Sequence, residues 1–162
     1  MNVQTETPVH GLEIRIDDLT SPAVGRLLAE HVANMRALSP PCSVHAHDVD
    51  RLRQPDITFW SVWDGDALVG CGALKQLDPS HGEIKSMRTA AAHLRKGVAS
   101  TLMRHVLDEA RRRGYRRLSL ETGSTQDFSP AHHLYASFGF ERCGPFADYE
   151  EDPFSVFMTR AL

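Results

Sequence analysis

Residues 94–114 restrict the fold more than any other stretch of this chain. A basic turn, Leu94-Arg95-Lys96-Gly97, leads into Val98, Leu102, Val106 and Ala110, joined by Met103 and Leu107 at helical spacing. This pattern predicts an amphipathic helix from about Gly97 to Arg113, with Gly114 at the C′ position where a left-handed residue ends many helices. The segments before it read as strands. Ile57–Trp63 is rich in β-branched and aromatic residues, Asp64-Gly65 is a hairpin turn signal, and Ala67–Leu77 is the partner strand. Gly70 and Gly72 share one face of that partner, which predicts a close approach of something to the backbone there. A turn at Asp78-Pro79 leads to a third extended run, Glu83–Thr89.

The remaining segments complete the order β-α-(α)-β-β-β-α-β-α-β-β. Leu12–Leu19 alternates as a strand. Ser21-Pro22 starts a helix carrying Val24, Leu27, Leu28, His31, Val32 and Met35, and Ser39-Pro40-Pro41 stops it. A short helix follows His47 with Val49 and Leu52 inward. Leu118–Glu121 reads as a strand, Pro130–Phe138 as a helix ended by Gly139, and Phe140 onward and Phe154–Thr159 as two more strands. Strand and helix do not alternate throughout, so this mixed α/β pattern is not a doubly wound nucleotide fold.

The turn at Gly97 also points to a ligand. A helix N-terminus exposes unpaired amides at the positive end of the dipole. Gly97 lets a phosphate approach the backbone, Ala99 and Ser100 keep the first turn narrow, and Arg95 and Lys96 add positive charge. A pyrophosphate suits such a turn. The second glycine and Lys-Ser/Thr ending of a Walker A loop are absent, as is GxGxxG, which disfavours ATP and NAD.

Other classes recede on composition. With 18 Lys and Arg against 21 Asp and Glu, the net charge is −3, which argues against nucleic acid as a partner. Arg111-Arg112-Arg113 reads as the cationic last turn of a helix. No apolar run is long enough to span a membrane, and the first ten residues lack the pattern of a signal peptide, so the expectation is a cytoplasmic protein. Cys42, Cys71 and Cys143 are odd in number and widely spaced, hence free thiols. His45-x-His47 and His132-His133 lack the companions of a metal site, and no metal is expected.

At Gly97-Val98-Ala99 the chain resembles the GNAT superfamily of N-acetyltransferases, whose Q/R-x-x-G-x-G/A turn binds the pyrophosphate of CoA. Leu94 stands where Gln or Arg is usual, with Arg95 one place on. Leu134-Tyr135 followed by Gly139-Phe140 is similar to the family's L-Y-x-x-x-G-F signature, although Phe128 replaces a common asparagine. The likeness runs from about Leu12 to the C-terminus. It implies a single domain over 12–162 behind a flexible tail, 1–11, with a central mixed, mostly antiparallel sheet flanked by helices.

The resemblance further implies acetyl-CoA as co-substrate. The strands Glu83–Thr89 and Arg116–Thr122 would splay apart to admit pantetheine, which would pair with the backbone around Met87, Arg88 and Thr89. The Met87 amide would polarise the thioester carbonyl, and Arg95, Lys96, Gly97, Val98, Ala99 and Ser100 would hold the phosphates. Tyr135 would contact the cofactor and protonate the departing thiolate, its ordinary pKa of about 10 lying close to that of a thiol.

Glu83 is the candidate base. Strict alternation would put it on one face with Lys85 and Met87, about 13 Å from Met87, acting through water. Glu121 is the rival. The acceptor would be a small amine held by the loops Ser39–His47 and Cys143–Pro153, where Phe146, Asp148, Tyr149, Glu150 and Glu151 lie. The stretches 83–88 and 143–146 resemble those of a bacterial subgroup of the family. A transferase acting on protein N-termini or lysines, or an acyl-CoA-binding module without catalysis, are the alternatives, and a homodimer is common in the family.

Overall fold

A computed structural model describes residues 11–40 and 49–162. Cys42, His45, His47, most of the Ser39–His47 loop and the expected tail, apart from Gly11, lie outside the described residues. The elements are β1 (Leu12–Ile16), α1 (Pro22–Leu38), α2 (Val49–Leu52), β2 (Ile57–Asp64), β3 (Ala67–Asp78), β4 (His81–Thr89), α3 (Val98–Arg112), β5 (Arg117–Gly123), α4 (Ser129–Ser137), β6 (Glu141–Cys143) and β7 (Ser155–Ala161). Sequence patterning misses two 3-10 turns, Ala91–His93 and Gln126–Phe128, which are too short to show a period.

The described strands form one mixed sheet of seven, ordered β1-β2-β3-β4-β5-β7-β6. All neighbours are antiparallel except β4 and β5. That parallel pair is short. It runs from His81↔Arg117 to Ile84↔Leu120 and stops, leaving the second half of β4 without a partner on that side.

Helices cover both faces. α3 buries Val98, Leu102, Met103, Val106, Leu107 and Ala110 against Val69, Leu74, Ile84, Leu118 and Leu120. A large apolar side chain of this kind contributes about 1.5–3 kcal/mol when fully buried. On the other face α1 packs Val24, Leu27 and Leu28 with Leu52 of α2 onto Phe59, Cys71 and Ala73. Ser21 precedes α1 as expected, but its side chain makes no capping hydrogen bond. Pro22 at the first position gives the helix its start.

Gly70 and Gly72 explain how α3 sits so close to the sheet. A Cβ on Gly70 would lie 2.8 Å from Val98 Cγ1, and one on Gly72 2.9 Å from Leu102 Cδ2. The close approach expected from the glycine pair is therefore the first turns of α3.

The arginines 111–113 close α3 as the dipole favours. Arg112 and Arg113 both pair with Glu109, and hydrogen bonding from Arg112 chiefly lowers that carboxyl to about 2. Among the described residues no helix is long and apolar enough to cross a membrane. Cys71 is buried and Cys143 exposed, both free.

Candidate active site

Where β4 and β5 part, a cleft of about 600 Å³ opens between α1, the start of α3 and α4. One wall is the turn entering α3. Gly97 has φ 79°, which glycine adopts without strain, and Arg95 has φ 61°. The first intrahelical bond comes from the Thr101 amide to the Gly97 carbonyl at 3.0 Å. The amides of Val98, Ala99 and Ser100 therefore have no partner within the helix. Arg95, Gly97, Val98, Ala99 and Ser100 line the cleft, whereas Lys96 is exposed and does not.

The middle of β4 departs from regular alternation. Cys71 pairs with Arg88 but Ala73 pairs with Lys85, so two residues, Ser86 and Met87, oppose Gly72 alone. Ser86 takes φ 55° to make this β-bulge. The extra residue reverses the faces beyond it. Met87 turns toward Gly72 and Leu102 on the α3 side, while Arg88 joins Glu83 and Lys85 on the α1 side. The expectation that Glu83 shares a face with both Lys85 and Met87 is thus corrected: it shares one with Lys85 only.

Glu83 is 2% exposed and belongs to a buried network. Its Oε2 accepts hydrogen bonds from Lys85 Nζ at 3.0 Å and from the Tyr149 hydroxyl at 2.5 Å, and Lys85 Nζ also donates to the Tyr149 oxygen at 2.9 Å. Burial first, then the charge of Glu83, pushes the Tyr149 hydroxyl far above its ordinary value, so it remains a donor. Glu121 faces the same space from β5, one residue past the last β4–β5 pair. It accepts from Ser155 Oγ at 3.0 Å, and burial raises its carboxyl to about 7.

Tyr135 is 7% exposed, lines the cleft from α4 and stacks edge-on against Phe140 at 6.0 Å. Burial and then the nearby Glu121 raise its hydroxyl well above 10. The expected match to a thiol is therefore not kept, because a buried phenol resists ionisation. Phe128 also lines the cleft, its ring lying over Gly123 where any Cβ would collide.

The structure brings together most of the residues singled out from sequence. Tyr149 reaches the cleft from the expected Cys143–Pro153 loop, but Glu150 and Glu151 are exposed and stay outside it. Among the described residues, the acidic groups that line it are Glu83, Glu121 and Asp127. Sequence patterning assigns no role to Asn34 or Phe128, and places His31 only on an apolar stripe; nothing in α1 announces which of its faces meets the cleft. His132 bonds the Gly123 carbonyl at 2.7 Å, tying α4 to β5. No cluster of three metal-ligating side chains occurs among the described residues.

A family model described as "Acetyltransferase (GNAT) family" matches residues 26–140. The chain is 61% identical, over 93% of its length and all of the relative, to the N-acetyltransferase YsnE of Bacillus subtilis. Among solved structures it is similar to an acyl-CoA N-acyltransferase of Klebsiella pneumoniae, with a TM-score of 0.77 and 26% identity over 93% of this chain and 97% of that one. An acetyltransferase from Elizabethkingia anophelis with acetyl-CoA bound shares the fold, with a TM-score of 0.66 and 17% identity over 94% and 99%.

Proposed function

The chain belongs to the acetyltransferase (GNAT) family and is an N-acetyltransferase; from that premise we propose that it moves an acetyl group from acetyl-CoA to a small amine in the cytoplasm, by direct attack on the thioester. The observation that carries this reading is the parting of β4 from β5 beside a helix start whose first three amides have no partner within the helix. The free edge of β4 offers backbone groups at Met87, Arg88 and Thr89 to an extended amide-bearing chain such as pantetheine. The turn at Arg95–Ser100 offers amides and positive charge to a pyrophosphate. The acetyl-CoA bound to the Elizabethkingia protein supports the same use of this fold.

In the reaction the neutral amine attacks the carbonyl carbon, forming the C–N bond as the C–S bond breaks. The Met87 amide, at the bulge, is the donor assigned to the carbonyl oxygen, where negative charge collects. The amine must lose a proton. We assign that role to Glu121, whose carboxyl is raised to about 7 and is thus poised between acid and base at neutral pH. Glu83, the candidate suggested by sequence, has one oxygen committed to Lys85 and Tyr149; its charge helps raise Glu121, which makes it a positioning residue. Tyr135 keeps its proton at neutral pH and donates a hydrogen bond to the departing sulfur, and the proton that Glu121 takes from the amine leaves with the thiolate.

The test is the unfolding temperature in rising acetyl-CoA, with ATP and NADH as controls. A ligand of the native state stabilises by about 2.7 kcal/mol at a hundredfold excess over Kd. A rise confined to CoA compounds is expected, followed by CoA release when amines are added. No rise at millimolar acetyl-CoA would sink the reading.

A further inference from the structure

The bulge at Ser86 sorts the charges of β4. Toward α1 the strand presents Glu83, Lys85 and Arg88, and the first two neutralise one another as a buried ion pair. Arg88 is left over. Arg15, Arg53, Arg111, Arg112 and Arg113 each pair with an acid, but Arg88 pairs with none among the described residues. Its Nε is buried without a hydrogen-bond partner, as is Nδ1 of His31 on α1. The terminal nitrogens of Arg88 make no bond to the described residues either, and they are the donors left for a ligand. Burial, with a contribution from the charge of Arg88, lowers His31 to about 4, so its ring is neutral at neutral pH and does not share the charge.

Arg88 and His31 line the same cleft as Met35 and Leu38 of α1, across the strand from the Met87, Val98 and Leu102 side that leads to the phosphate turn. A cation left unpaired on that side is a recognition element for an anion, and a planar guanidinium matches a carboxylate in shape. We propose that Arg88 is an anion anchor for the acceptor, and that the acceptor is an amine bearing a carboxylate and an apolar side chain, in the manner of an apolar amino acid. The amine end then lies toward Glu121 and the apolar part against Met35 and Leu38. The inference rests on the acetyl-CoA reading above. A phosphate of CoA is the other anion within the same chemistry, and the test separates the two.

The experiment titrates N-acetyl-leucine, N-acetyl-methionine and N-acetyl-phenylalanine, each against its N-acetyl amide, into the CoA-loaded full chain by calorimetry. At least one free acid is expected to bind tenfold or more tightly than its amide. Arg88→Gln removes that preference and Arg88→Lys retains part of it, and CoA is titrated into Arg88→Gln alongside. Equal binding of acids and amides, binding of none of them, or a preference that survives Arg88→Gln overturns the anchor. So does a weakened CoA affinity in Arg88→Gln, which reassigns the guanidinium to a CoA phosphate. A chain that binds no CoA at all fails at the loading step, and this separates failure of the underlying reading from failure of the anchor.

Discussion

The hydroxyl of Tyr149 donates to Glu83 Oε2 at 2.5 Å across 66 residues of sequence, and Lys85 closes the triangle from the neighbouring position on β4. The loop between β6 and β7 is thereby fastened to the strand that carries the bulge. Replacing Lys85 by Met leaves a buried carboxylate without its counter-charge, a change that costs about 3–5 kcal/mol. Tyr149→Phe removes the bonds of its hydroxyl to Glu83 and Lys85 but leaves the ion pair in place, and costs about 1.5–3 kcal/mol. Urea unfolding of both variants checks the order; equal midpoints would mean the ion pair is not what holds the network.

Glu121 ties stability and activity to pH. Its folded carboxyl, near 7, is raised above the ordinary 4.5, so the native state binds the extra proton between those values. Its contribution to stability is full below about pH 4.5 and is lost as pH rises toward 7, by up to about 3 kcal/mol. Glu121→Gln is expected to flatten that part of the stability curve. The same variant should lose about 10²–10⁴-fold in kcat/KM and the rising limb of the rate near pH 7. A limb that persists in Glu121→Gln assigns the base elsewhere.

Tyr135 makes no hydrogen bond to the described residues that its replacement would strand. Tyr135→Phe is expected to lower kcat about 10²-fold while acetyl-CoA affinity, read by calorimetry, stays unchanged. Equal losses in both would describe a packing role, and full activity would remove the residue from the mechanism.

Gly70 couples the sheet to the turn that enters α3. A methyl there meets Val98 Cγ1 at 2.8 Å and the Arg88 carbonyl oxygen at 3.0 Å, the first on a stiff β-branched side chain and the second on backbone. Gly70→Ala is expected to cost about 1–3 kcal/mol by overpacking. Because Val98 is the first residue of α3, the same change should weaken acetyl-CoA binding. Calorimetric titration of the folded variant reads this separately from its melting temperature.

Much of the fold is legible in local signals of the chain. Val98, Leu102, Val106 and Ala110 declare α3 by their period, Asp64-Gly65 declares the β2–β3 hairpin, and Gly70 with Gly72 declares a close approach. Each signal depends on residues near one another in sequence. Glu83 and Tyr135 also stand out in the sequence, yet their states do not: the network around Glu83 and the raised hydroxyl of Tyr135 come from burial by distant segments.

The helix start at Gly97 is written locally, in a glycine followed at once by the helical period of Val98, Leu102, Val106 and Ala110. Which face of β4 looks at which helix depends on contacts between distant segments. A single extra residue at Ser86 exchanges the sides of Met87 and Arg88, and alternation with period two carries no mark of where such a residue falls. Packing on Gly72 and Leu102 from one side and α1 from the other fixes it there, turning Arg88 to the α1 side of the cleft and Met87 to the side of α3.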